Sequence, residues 1–239
     1  MKLEKAFVIS DIHGEISKFN KLLQFWNFED EALIILGDLI DRGENSLKVV
    51  EKVMELKKQY NDQLIIIKGN HEDMLLKFLE NPEINNNGLR YFNNGGGTTA
   101  SEFTQDVNIL DRGNAAIAEK MKEKSEVIQF LSNLSLYYEF GDVLFIHAGI
   151  DHDLSDWRQT EPYQMVWVRN MWEQKNQTGK IIVFGHTPTQ YIHEDKGCDI
   201  WISPCTSYIN IDGGAVYGGQ LNAIVINKTG YILKTFHVK

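Results

Sequence analysis

The sequence predicts an α/β fold on three observations. Short apolar, β-branched runs recur along the chain, helical stripes separate the early ones, and most runs end in Gly, Asp or Asn. The runs cover 6–10, 33–36, 64–68, 143–147, 181–184, 208–211, 223–226 and 231–236, each about strand length. Ile16, Phe19, Leu22, Leu23 and Trp26 recur at helical spacing, and so do Leu47, Val50, Val53, Met54 and Lys57. Met74, Leu75, Phe78 and Leu79 make a third stripe. All three stripes read as core packing. Strand–helix alternation over the first third of the chain implies βαβ units.

The middle of the chain differs. From 82 to 133 the pattern is irregular, with Asn85-Asn86-Asn87-Gly88 and Asn93-Asn94-Gly95-Gly96-Gly97, and helical stretches are expected at 98–103, 114–122 and 126–133. This reads as a helical insertion or cap, not a linker. After Gly179 the pattern is mostly β, with Asp212-Gly213-Gly214 and Tyr217-Gly218-Gly219 as turns. No internal repeat is legible, and one domain, 1–239, is expected.

Asp and Glu number 33 against 24 Lys and Arg, a net charge of −9 over 239 residues. Bulk acidity argues against non-specific nucleic-acid or membrane binding. An anionic substrate would need a few cations concentrated where it binds. No run approaches the ~18 apolar residues of a membrane span. The opening MKLEKAFVIS lacks the apolar region and cleavage site of a signal peptide, so a cytoplasmic protein is expected. Cys198 and Cys205 indicate no disulfide framework, and reduced thiols are expected.

Chemistry concentrates directly after the apolar runs. Asp11 and His13 follow the first; Gly37, Asp38, Asp41, Arg42 and Gly43 follow the second. Gly69, Asn70, His71 and Glu72 follow the third. His147-Ala148-Gly149 and Gly185-His186-Thr187 close two later runs. In open α/β sheets, sites form at the carboxyl ends of strands, so folding would gather these distant residues. Taken singly, Asp11 could cap a helix, Asp38 and Asp41 could shape a turn, and His147 and His186 could be satisfied core histidines. Four of the seven histidines (His13, His71, His147 and His186) nevertheless occupy the same topological place beside Asp and Asn, which chance does not explain. Carboxylates, imidazoles and an amide oxygen suit divalent transition metals. The six candidates Asp11, His13, Asp38, Asn70, His147 and His186 exceed one four-coordinate ion. They suit two ions sharing a carboxylate, ~3.5–4 Å apart, clamping an in-line displacement.

Asp11-x-His13, Gly37-Asp38-x-x-Asp41-Arg42-Gly43, Gly69-Asn70-His71-Glu72, His147-Ala148-Gly149 and Gly185-His186 resemble, in order and spacing, the calcineurin-like metallophosphoesterases, and within them the phosphoprotein phosphatases. The compact size and Trp167-x-Arg169 are similar to bacterial and bacteriophage lambda-type phosphatases, and Ile211-Asp212-Gly213-Gly214-Ala215 is similar to the family's last loop. The motifs span 11–187. The resemblance implies a four-layer α-β-β-α sandwich. It implies that Asp11, His13 and a bridging Asp38 hold one ion, and that Asp38, Asn70, His147 and His186 hold the other. It further implies His71 as general acid, oriented and kept protonated by Asp41, and Arg42 and Arg169 as phosphate ligands. Mn is the expected metal, with Fe or Zn fitting the same ligands. Lys68 stands where relatives usually carry Arg, and Arg158 is the rival to Arg169.

The expected activity is that of a serine/threonine protein phosphatase, by attack of a metal-bridging hydroxide on phosphorus. The alternative is a dinucleoside polyphosphate hydrolase with the same metal core. A non-catalytic metal-binding module is disfavoured, because every ligand position and His71 are present. The expected partner is a phosphoprotein or a phosphorylated small molecule, with no nucleic acid and no membrane, and a monomer is expected.

Overall fold

The structure, a computed structural model, describes residues 3–239. Strands and helices alternate first: β1 (Lys5–Ile9), α1 (Ile16–Leu23), β2 (Glu31–Ile35), α2 (Ser46–Tyr60), β3 (Leu64–Ile66) and α3 (Asn70–Glu80). Then come α4 (Asn87–Asn93), α5 (Gly96–Thr104), α6 (Asn114–Met121) and α7 (Ser125–Ser132). The hairpin β4 (Tyr137–Phe140) and β5 (Val143–Ile146) leads to α8 (Pro162–Trp167). β6 (Ile181–Phe184), β7 (Trp201–Ile202), β8 (Tyr208–Asn210), β9 (Leu221–Asn227) and β10 (Ile232–Val238) complete the chain. No helix among the described residues is long and apolar enough to cross a membrane.

Two five-stranded mixed sheets form, in the orders β10-β9-β1-β2-β3 and β4-β5-β6-β8-β7. β1, β2 and β3 run parallel, as do β5, β6 and β8. Successive side chains of a strand point to opposite faces. Ala6 and Val8 therefore meet Ile34, Phe145, Val183, Ile209 and Ile224 between the sheets. Phe7, Ile9, Leu33 and Ile35 instead pack on Phe19, Leu22, Val50, Val53 and Leu75 of the helices. On the far face of the second sheet, Leu144, Ile146, Ile182 and Phe184 pack under Trp157, Met165 and Met171. Both faces of the central strands are covered, which is why those runs are continuously apolar and not alternating. The four-layer sandwich is the expected fold.

Some expected elements differ. β4 and β7 are absent from the expected runs because each is short, at a sheet edge and half exposed, so neither carries a buried apolar pattern. α4 contains Gly88 and two Asn, poor helix formers, and is held by tertiary packing. Its Tyr91 is fully buried and stacks on Phe78 at 5.2 Å. Residues 82–133 are helical as expected, yet they are no appended cap. The Glu102 carboxylate of α5 accepts the Ser46 and Leu47 N–H groups at 3.0 and 2.9 Å, capping the N-terminus of α2. Cys198 and Cys205 are free.

Candidate metal centre

The carboxyl ends of β1, β2, β3, β5 and β6 meet at one edge of the sandwich. His147, after β5, donates from Nδ1 to the Leu36 carbonyl at 2.7 Å, and the His186 N–H reaches the Asp11 carboxylate at 3.1 Å. These loops take tight, unusual turns. Among the described residues, six of the thirteen non-glycine residues at positive φ are Asp11, His13, Asp38, Asp41, Arg42 and His186. Such backbone costs about 1–3 kcal/mol each and persists where the surroundings over-determine it. Gly69 meets a different constraint, since a Cβ there would run into the Asp38 carboxylate.

Glu72 does much of the over-determining. Fully buried on the first turn of α3, it accepts the N–H groups of Asp38 (3.0 Å), Leu39 (2.8 Å) and Gly69 (2.8 Å). One carboxylate thus fixes two site loops. In the sequence Glu72 stands out only as part of the 69–72 motif. Its position three residues after Gly69, at a helix start, was the available signal.

Asp38 lies at the middle of the cluster. Its Oδ2 is 3.4 Å from His13 Nε2 and 4.0 Å from His71 Nε2, while its Oδ1 is 3.5 Å from His147 Nε2. Two buried groups able to hold a metal share it: His13, Asp38 and His71, and Asp38, His147 and His186. Asn70 Oδ1 adjoins the second, at 3.0 Å from His147 Nε2 and 2.9 Å from His186 Nδ1. Asp11 lies outside both groups. Its carboxylate is turned onto the Ser10 hydroxyl and the His186 N–H.

The donor chemistry fits divalent ions. His13 and His147 each donate Nδ1–H to a backbone carbonyl, of Ile40 (2.8 Å) and Leu36. That sets the tautomer and leaves each Nε2 as a lone pair, the arrangement of a metal-ligating imidazole. The His147 lone pair then faces Asn70 Oδ1 and the Asp38 carboxylate, acceptor against acceptor. Protonation of His147 is opposed, because burial lowers its pKa. Burial also holds His13 and His186 well below the usual histidine value. It pushes Asp38 well above the usual carboxylate range, helped by the charges of Asp11 and Glu72. His71 Nε2 and His186 Nε2 are buried without a hydrogen-bond partner. A cation would satisfy the His147 and His186 lone pairs and the Asp38 carboxylate together.

His71 departs from expectation in its proton chemistry. Its Nδ1 is 2.7 Å from Asp41 Oδ2. Burial, however, drives the imidazole well below its usual pKa and raises Asp41 to about 7. Burial therefore opposes the separated charges of imidazolium and carboxylate and favours an uncharged acid beside an uncharged imidazole. A protonated Asp41 donating to Nδ1 leaves the histidine proton on Nε2, facing the site. Asp41 is braced through Oδ1 by the Thr99 (2.6 Å) and Tyr91 (3.2 Å) hydroxyls, from α5 and α4.

Arg42 and Arg169 line one cavity of about 360 Å³ together with His13, His186 and Asp212. Arg42 donates to His13 Nε2 at 2.5 Å, and Arg169 to Thr187 Oγ1 at 2.8 Å. Arg158 lies elsewhere, exposed and paired with Glu139 and Asp156. Lys68 is also outside this cavity and donates to the Ser132 carbonyl at 3.3 Å. Asp212 is buried at the same cavity and is pushed well above the usual carboxylate range by burial and by the charge of Asp11; the sequence marks its loop but not this residue.

Fold and site together define a metal-dependent phosphoesterase. Residues 5–207 match the calcineurin-like phosphoesterase family, and the chain belongs to it. Similar curated proteins include the asymmetrical bis(5'-nucleosyl)-tetraphosphatase PrpE of Anoxybacillus flavithermus, 28% identical, with 91% of this chain and 88% of that protein covered. The protein of the same description from Oceanobacillus iheyensis is 25% identical, covering 92% and 87%. Among solved structures, a candidate diadenosine tetraphosphatase superposes with a TM-score of 0.65 at 19% identity, over 98% of this chain and 93% of that one. A serine/threonine phosphatase from Saccharomyces cerevisiae superposes at 0.61 with 15% identity, over 100% and 81%.

Proposed function

We propose that the protein hydrolyses dinucleoside polyphosphates at a two-metal centre. The observation that carries this reading is the full-length similarity to relatives described as asymmetrical bis(5'-nucleosyl)-tetraphosphatases. The phosphoprotein substrate favoured from Trp167-x-Arg169 keeps only family-level support, so the order of the two readings is reversed.

Asp11, His13 and Asp38 would hold one ion, and Asp38, Asn70, His147 and His186 the other, with Mn the expected metal. When bound, the ions supply Lewis acidity and activate water for in-line attack on phosphorus. Asp38 is suited to bridging because its two oxygens face different histidine groups. Arg42 and Arg169 would grip non-bridging phosphate oxygens through planar guanidinium forks. The His71–Asp41 pair would deliver the Nε2 proton to the departing oxygen as the P–O bond breaks, the Asp41 proton passing to Nδ1 so that the imidazole stays neutral. Asp41 and its hydroxyl braces position that imidazole without touching substrate.

The test compares kcat/KM on diadenosine tetraphosphate and on a phosphoserine peptide under the same metal loading, with products separated by chromatography. Faster turnover of the dinucleotide, with unequal nucleotide products, is the expected result. Preference for the phosphopeptide would overturn the reading.

A further inference from the structure

The cavity that holds Arg42 and Arg169 has a second wall that phosphate binding does not use. Tyr191 and Tyr217 line it, and they are 75% and 56% exposed. Two large aromatic rings left in water beside an anion-binding floor need a reason, because exposed aromatic surface is valuable chiefly when something stacks on it. The cavity volume lies within the ~300–1,000 Å³ usual for small-molecule sites. It is larger than a phosphate alone requires.

The turns that carry the rings are held in place. Tyr217 ends a single helical turn, 215–217, whose Ala215 carbonyl accepts from Lys18 Nζ at 2.7 Å. Arg42 sits over the Tyr217 ring, 5.2 Å from its centroid, so ring and guanidinium are set side by side. Tyr191 ends the turn 189–191, and the Thr189 N–H donates to the Asp212 carbonyl at 2.8 Å, tying this turn to the Asp212–Tyr217 loop. Gln190 is wedged against Gly214, which sits at φ +64; a Cβ there would come within 2.8 Å of the Gln190 side chain. The two tyrosine-bearing turns are thus joined to each other and to the loop of a buried site carboxylate. A preorganised wall loses little freedom when a ligand stacks on it.

We infer that Tyr191 and Tyr217 form a stacking wall for the nucleobase attached to the phosphate that Arg42 and Arg169 bind. This rests on the dinucleoside polyphosphate reading for the identity of the flanking group. Every base has a flat π face, so the wall would select for a nucleotide without selecting among bases. Specificity for nucleotides over other phosphate esters would then lie in these two residues, outside the metal-binding motifs.

The experiment is equilibrium binding to the Mn²⁺-loaded full chain, by titration calorimetry, of adenosine 5'-monophosphate, ribose 5-phosphate and phenyl phosphate. All three offer the same phosphate to the arginines and differ in what flanks it. Adenosine 5'-monophosphate is expected to bind about 5- to 150-fold more tightly than ribose 5-phosphate, the range of one stacked base. Tyr191→Ala and Tyr217→Ala should each shrink that ratio, and the double variant should bring it near one. Tyr→Phe at both positions should keep it. Any disturbance of Arg42 by Tyr217→Ala weakens both ligands and cancels in the ratio. Equal wild-type affinities, or a ratio that survives the double alanine replacement, would overturn the stacking wall. Phenyl phosphate binding as tightly as the nucleotide would also overturn it, reassigning the wall to aryl phosphates. The two readings fail separately: a lost wall with diadenosine tetraphosphate still cleaved leaves the substrate class standing. A chain that cleaves only phosphopeptides removes the substrate class, whatever the ratio.

Discussion

Glu72→Gln should damage this protein well beyond what an isosteric change suggests. The carboxylate accepts three buried N–H groups, two through Oε2 (Asp38 and Gly69) and one through Oε1 (Leu39). A glutamine amide oxygen can keep the two-donor position, but its NH₂ then faces the Leu39 N–H, donor against donor. An orphaned buried donor costs about 1–3 kcal/mol. Turning two charge-assisted bonds into neutral ones costs about 1 kcal/mol each. Part is recovered, because burial already opposes the Glu72 charge and the amide has none. The net expectation is a loss of about 2–4 kcal/mol, a large share of a typical ~5–15 kcal/mol. Urea unfolding of the metal-free protein followed by circular dichroism reads this directly. Because the same bonds position Asp38 and Asn70, Mn²⁺ affinity should fall about 10- to 100-fold by calorimetry. A stability change under about 0.5 kcal/mol together with unchanged Mn²⁺ affinity would refute the bracing role, whatever happened to turnover.

Metal analysis of the Mn²⁺-saturated protein should give two ions per chain, and Asp38→Asn should reduce that number; full activity with one ion would contradict the shared-carboxylate centre. His71→Asn should lower turnover about 10²–10⁴-fold on an alkyl phosphate and less on p-nitrophenyl phosphate, with metal content kept, since general acid catalysis matters most for poor leaving groups. Metal lost from that variant would make His71 a ligand instead. Arg169→Lys should weaken phosphate inhibition and lower kcat/KM, because lysine keeps charge without the two-pronged geometry, whereas the exposed Arg158→Lys should be silent in the same assay. Thr99→Val removes a 2.6 Å bond to Asp41 from α5 and should destabilise by about 1–2 kcal/mol while lowering kcat more than it changes KM.

Several features were legible because they are local. The 6–10, 33–36 and 181–184 runs read as strands from their own composition, and the polar residues directly behind them read as a site from type and position alone. Asp38, Asn70, His147 and His186 need only the rule that parallel strands gather their carboxyl ends. Arg169 was legible as one of two candidates. Its separation from Arg158 waited on the structure, which puts one in the cavity and the other in a surface ion pair.

Other features depend on which distant segments touch. That Glu102 caps α2 across 56 residues, or that Tyr91 and Thr99 brace Asp41, has no counterpart in spacing or periodicity. These are ordinary helix residues until packing brings them against the β2 loop. Even the protonation of His71 changed meaning. A neighbouring carboxylate alone predicts a retained positive charge, whereas the dry interior that encloses both groups favours a neutral pair. Residue type and order determined which chemistry the chain carries, since ligand softness and strand periodicity are properties of a few adjacent residues. The tertiary structure alone decided how that chemistry is held, since burial, tautomer and bracing arise only where segments distant in sequence, such as Asp11 and His186, 175 residues apart, come into contact.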